Sequence, residues 1–92
     1  MENLAEQIKS QQAVGFNKIV TRLDSIVKDM CLQFGSCTIG YSKRAEIEDS
    51  CYFSVRINER YKRLAIEHYR SEGFEVEEFS HSGFLRGIRI SL

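Results

Sequence analysis

The stretch Phe16–Ser42, FNKIVTRLDSIVKDMCLQFGSCTIGYS, passes from helical to extended periodicity across a single glycine. Phe16, Ile19, Val20, Leu23, Ile26, Val27 and Met30 recur at steps of three and four, a spacing that predicts an amphipathic helix. Gly35 suits the left-handed position that ends such a helix, and Thr38, Ile39 and Tyr41 beyond it favour a strand. The apolar stripe is broader than a coiled-coil seam, so the helix can cover a sheet and keep a further row, Val20 and Val27, for another surface. Lys18, Arg22, Asp24, Lys28 and Asp29 form the opposite, solvated face.

Helix, glycine and two strands follow one another twice: Cys51–Ile57 completes the first pass and Asn58 opens the second. Cys51–Ile57 alternates, with Cys51, Phe53, Val55 and Ile57 expected on the inner face and Tyr52, Ser54 and Arg56 pointing outward. It is expected to pair with Cys37–Ser42 as an antiparallel hairpin, closed by the charged loop 43–50 and bringing Cys37 near Cys51. Asn58 is a good helix cap. Tyr61, Leu64, Ala65, His68 and Tyr69 then line one face of a second helix, and Gly73 ends it. Phe74 and Val76 begin a strand, Ser80-His81-Ser82-Gly83 reads as a turn, and Phe84, Ile88, Ile90 and Leu92 mark the inner face of a last strand. The two passes share a pattern but not residues.

The expected fold is therefore α+β: a two-layer αββαββ sandwich with two helices on one face of a four-stranded, mainly antiparallel sheet. Residues 1–92 form a single domain, with 1–14 an N-terminal helical arm and 15–92 the core. The arm can bend at Gly15. Its Leu4 and Ile8, with Val14, have no evident place in a core this small, and together with Val20 and Val27 they are the residues expected to mediate self-association.

Composition narrows the function classes. The 92 residues are 42% hydrophobic and 28% charged, which is typical of a globular chain. The 13 Lys and Arg exactly offset the 13 Asp and Glu, so bulk positive charge does not drive nucleic-acid binding, and any anion site is local. No apolar run is long enough for a membrane span and the N-terminus does not read as a secretion signal, so a cytoplasmic location without membrane contact is expected. The odd set Cys31, Cys37 and Cys51 lacks paired short spacing, which suggests reduced thiols rather than a disulfide framework or zinc site.

Catalytic patterns are missing: the chain has no glycine-rich phosphate loop, no Gly-x-Ser-x-Gly elbow and no His-Glu-x-x-His pair. The segment from Glu59-Arg60-Tyr61 to Gly73-Phe74-Glu75-Val76 resembles the opening helix and strand of restriction-type nucleases. That resemblance implies a later aspartate and a Glu-x-Lys pair for a divalent metal, yet no lysine follows Lys62. His68 reads as a half-buried helix side chain and His81 as a turn residue. No enzyme activity, cofactor or metal is expected.

The expected function is that of a small interaction or regulatory protein, self-associating and binding a macromolecular partner, of the kind common among accessory and inhibitor proteins of bacteria and phages. The alternative is nucleotide or nucleic-acid binding by the outer sheet face. Tyr52, Arg56 and Arg89, with Tyr41, would there set aromatic rings beside guanidinium groups, and Arg86 would join them if Gly87 forms a bulge. Lys43 and Arg44 in the charged loop complete the candidate partner-binding set.

Overall fold

In the computed structural model, which describes residues 3–81 and 85–92, helix α1 runs unbroken over Leu4–Phe34. The side chain of Asn3 caps it by accepting the Glu6 N–H at 2.9 Å. Gly35, at φ 82°, ends it, with its N–H donating to the Cys31 carbonyl at 2.9 Å. At about 1.5 Å per residue this helix is about 46 Å long, and the molecule's longest dimension is 46 Å. Gly15 does not interrupt it.

The remaining elements are β1 (Ser36–Ser42), β2 (Ile47–Glu48), β3 (Val55–Asn58), a 3-10 turn (Glu59–Tyr61), α2 (Lys62–Ser71), β4 (Glu75–His81) and β5 (Leu85–Ser91). The Asn58 side chain caps the 3-10 turn by accepting the Arg60 N–H, so the second helix begins one turn later than its cap suggested. Gly73, at φ 93°, reverses the chain after α2. The turn expected at 80–83 lies partly outside the described residues, and Phe84 wholly so; Ser80 and His81 belong to β4.

Among the described residues the strands form one sheet of five, ordered β2-β3-β1-β5-β4. This corrects the four-stranded expectation. It also corrects the first hairpin, because β1 and β3 pair in parallel, Ile39 opposite Val55 and Tyr41 opposite Ile57. The two-residue β2 lies antiparallel on the far side of β3, so β3 is inserted between the strands that precede it. Burial favours this order. Val55 and Ile57 are fully buried beneath the helices, whereas β2 offers only Ile47 and suits an edge. Thr38 and Ser54 brace the start of the pair: each backbone N–H donates to the other's hydroxyl, at 3.2 and 3.1 Å.

Strand β3 starts at Val55 because Ser50 diverts the chain before it. The Ser50 hydroxyl accepts the N–H groups of Tyr52 and Phe53, both at 3.2 Å, which curls 50–53 into a turn. Cys51 is consequently exposed and is not on the inner face, nor is it Cys37's neighbour across a hairpin. Phe53 is carried to the opposite face of the sheet. The core lies between the helices and the other face, built from Phe16, Ile19, Leu23, Val27, Tyr61, Ala65 and Tyr69 against Cys37, Ile39, Val55, Ile57, Val76, Ile88 and Ile90. Each fully buried aliphatic side chain there contributes roughly 1.5–3 kcal/mol.

Candidate functional site

Parallel pairing brings the C-terminal ends of β1 and β3 to one end of the sheet, and a groove opens there. It has a volume of about 830 Å3 and is lined by Tyr41, Lys43, Arg44, Arg56 and Arg86, with Ser42, Glu48 and Glu59. Five of the seven sequence-derived partner-binding residues thus meet in one place. The Ser42 hydroxyl accepts the N–H groups of Arg44 at 3.3 Å and Ala45 at 3.1 Å, a tight turn that presents Lys43 and Arg44, both exposed. Arg56 donates through Nε and Nη2 to the Tyr41 carbonyl at 3.3 and 3.0 Å, and its Nη1 is 3.8 Å from Glu48.

Arg86 reaches the groove by a route other than the one anticipated. Gly87 forms no bulge: it pairs in register with Gly40 on one side and Phe79 on the other, so Arg86 keeps the parity of Ile88. Tyr41 forms part of the wall shared with an adjoining depression that Lys62, Glu78 and Arg86 also line. Its hydroxyl is shielded from solvent and has no hydrogen-bond partner among the described residues. Burial, and then the Glu78 carboxylate, push that phenol well above its usual range. Glu78 is itself held below the usual carboxylate range by Lys62, whose ammonium lies 2.7 Å away.

The aromatic and arginine platform anticipated on the outer sheet face is not assembled. Tyr52 stands in the 49–54 loop, exposed, and the Arg89 guanidinium lies 5.8 Å from the centre of the Phe79 ring. Neither lines the groove. Phe53 instead lies over Gly40 and Gly87, with its ring 5.8 Å from Phe79. Phe53 and Phe79 are the residues that sequence reasoning missed on this face. The available signal was the pair of strand glycines, since a glycine inside a strand often marks the close approach of another group.

The arm is the second surface. Leu4 is 70% exposed, Ile8 49% and Val14 56%, whereas Val20 is half-buried and Val27, at 1%, belongs to the core. Val27 therefore leaves the set expected to mediate self-association. Beneath the arm is a concavity of about 610 Å3, bordered by Ile8, Gln12, Ile19, Arg60 and Tyr61. At the other end of α1 a smaller apolar cleft of about 360 Å3 is lined by Val27, Cys31, Leu32, Tyr69, Phe74 and Leu92.

His68 does not stand as a free base. Its Nε2 is 3.1 Å from Asp24 Oδ1, which also accepts the Tyr69 hydroxyl at 2.8 Å, and its ring packs edge-on against Phe16 and Tyr69. Cys31 and Cys37 are buried, and burial pushes the Cys37 thiol up to about 11. Among the described residues no group of three or more His, Cys, Asp or Glu is placed to hold a metal ion, and no helix is long and apolar enough to cross a membrane. No family model, no curated protein and no solved structure matches the chain.

Proposed function

We propose that this is a non-enzymatic interaction protein that self-associates through the N-terminal arm of α1. The observation carrying this reading is that α1 continues well beyond its buried stripe. That stripe runs from Phe16 to Cys31, yet the helix begins at Leu4. An isolated helical segment as short as the overhang is marginal in water, and Leu4 and Ile8, one turn apart, are left exposed on it. A second copy supplies the apolar surface that would shelter them, and the zero formal net charge offers little repulsion against association. A regulatory or inhibitory role by capture of another protein, as in bacterial or phage accessory proteins, is compatible with the same arm and follows from no other feature.

The trial is the mass in solution of the full chain, of a form lacking residues 1–13, and of the Leu4→Glu/Ile8→Glu variant. The full chain is expected to be an oligomer and both altered forms monomers with unchanged helical cores. An oligomer that survives both changes removes the arm's role, and a monomeric full chain removes self-association altogether.

A further inference from the structure

We infer that the groove at the C-terminal ends of β1 and β3 binds a small ligand bearing one or two phosphoryl groups, held by Lys43, Arg44 and Arg86. This inference goes beyond self-association, because the groove and the arm are separate surfaces. Its first support is charge. Lys43, Arg44, Arg56 and Arg86 line the groove against only two carboxylates, Glu48 and Glu59, leaving two positive charges in a chain whose formal net charge is zero. Of the four cations only Arg56 forms an ion pair among the described residues, with Glu48 at 3.8 Å. The chain's other paired cations, Arg60, Lys62 and Arg63, are matched locally by Glu46, Glu78 and Glu67. Lys43, Arg44 and Arg86 are the groove cations left for an external anion.

The second support is preorganisation. Arg56 is fixed by two hydrogen bonds to the Tyr41 carbonyl, and the Ser42 hydroxyl fixes the turn that carries Lys43 and Arg44. A ligand therefore meets cations on a set backbone, which lowers the ordering cost of binding. The third is position. The groove lies at the carboxyl ends of two adjacent parallel strands, β1 and β3, the end of a parallel pair at which ligands commonly bind.

The chemistry favours phosphate over other anions. Two net positive charges complement a dianion, and guanidinium forks pair with phosphoryl oxygens through parallel N–H···O bonds. Recognition ends at the phosphoryl group: Tyr52, the exposed aromatic nearest in sequence, is not in the groove, and the Tyr41 ring lies beneath Lys62, 5.8 Å from its ammonium. With no free ring for base stacking among its lining residues, the site fits a small ligand better than a nucleic-acid strand.

Titrating the full chain with pyrophosphate at low salt, followed by amide chemical shifts, tests this. Saturable shifts are expected at residues 41–44 and 86–87, with a dissociation constant near or below about 1 mM. Lys43→Glu, Arg44→Glu and Arg86→Glu are each expected to weaken binding about tenfold, whereas Arg22→Glu on the remote face of α1 leaves it unchanged. Lys43 and Arg44 are exposed turn residues, so Lys43→Ala/Arg44→Ala at an unchanged melting temperature supplies the same loss in a folded protein. The form lacking residues 1–13 is expected to bind normally, which separates this site from the arm. No saturable shift up to about 10 mM pyrophosphate, or binding indifferent to the three charge reversals, overturns the inference. So does a single-stranded oligonucleotide that binds more tightly than both pyrophosphate and ADP, since its backbone would then be the ligand.

Discussion

The hydroxyl of Tyr61 occupies the space that a side chain at Gly15 would need. A methyl group built on Gly15 runs into that oxygen and comes within 3.1 Å of Tyr61 Cζ. Tyr61 is 1% exposed and its hydroxyl donates to Glu46, so the ring cannot easily withdraw. This contact is where the unbroken α1 meets the 3-10 turn, and it gives Gly15 a role quite different from that of a hinge.

Gly15→Ala would ordinarily stabilise a helix interior by about 1 kcal/mol. Here it is expected to destabilise by a similar amount or more, because overpacking a closed contact costs roughly 1–3 kcal/mol. In a Tyr61→Phe background the same substitution is expected to be neutral or stabilising. Denaturant unfolding of the two single variants and the double variant measures this, and equal effects in both backgrounds would refute the contact.

Gly40 and Gly87 lie side by side under Phe53. A Cβ on Gly87 meets the Ile39 carbonyl oxygen at 2.5 Å as well as the ring, whereas the three atoms nearest a Cβ on Gly40 all belong to the ring. A ring at the sheet surface can shift and a backbone carbonyl cannot. Gly87→Ala is therefore expected to cost roughly 2–3 kcal/mol and Gly40→Ala less. Thermal melts that reverse this order would show that Phe53, rather than the backbone, sets the limit.

Asp24 joins α1 to α2 by accepting from Tyr69 and meeting His68. Asp24→Ala strands the hydroxyl of a buried tyrosine and is expected to cost about 1–3 kcal/mol. Tyr69→Phe removes both the need and the bond, so it is expected to cost less. In the double variant the two losses should fall short of their sum; strict additivity in a double-mutant cycle would show that the pair does not interact.

Alkaline pH is expected to unfold the protein cooperatively. Burial raises the Cys37 thiol to about 11, and burial also raises the Tyr41 and Tyr69 phenols, with Asp24 adding to the shift at Tyr69. In each case the unfolded chain releases its proton first, so stability is intact below about pH 9 and declines above it. Tyrosinate absorbance from Tyr41 and Tyr69 should then rise together with loss of helix signal. Ionisation of these phenols while the helix signal stays intact contradicts their burial.

The thiols offer an independent check near neutral pH. Cys51 is exposed while Cys31 and Cys37 are buried, so a thiol reagent is expected to modify one cysteine rapidly in the native protein and all three in denaturant. Rapid modification of Cys37, identified by mass mapping, would place its strand at an open edge.

Much of the architecture was legible in the chain. The spacing from Phe16 to Met30, the glycines at 35 and 73, the Asn58 cap and the alternation through Ile88 and Ile90 are local signals. Steric preference and burial of one face express them within a single element. The residues that line the groove, Tyr41, Lys43, Arg44, Arg56 and Arg86, stand out in the sequence as residue types, and so do the exposed Leu4, Ile8 and Val14 of the arm.

What only the tertiary structure decided is which strands pair and therefore which side chains meet. An antiparallel hairpin and a parallel pair with an inserted strand both bury Val55 and Ile57, so the alternation around them cannot choose between the two. The choice came from Ser50, which turns the chain at Phe53, and from the protected central place that β3 takes between β1 and β2. That pairing brought Arg56 against the Tyr41 carbonyl, moved Phe53 to the outer face and gathered the cations at one end of the sheet. Sequence determines each element through contacts between near neighbours; the groove depends on the distances between elements, which only packing sets.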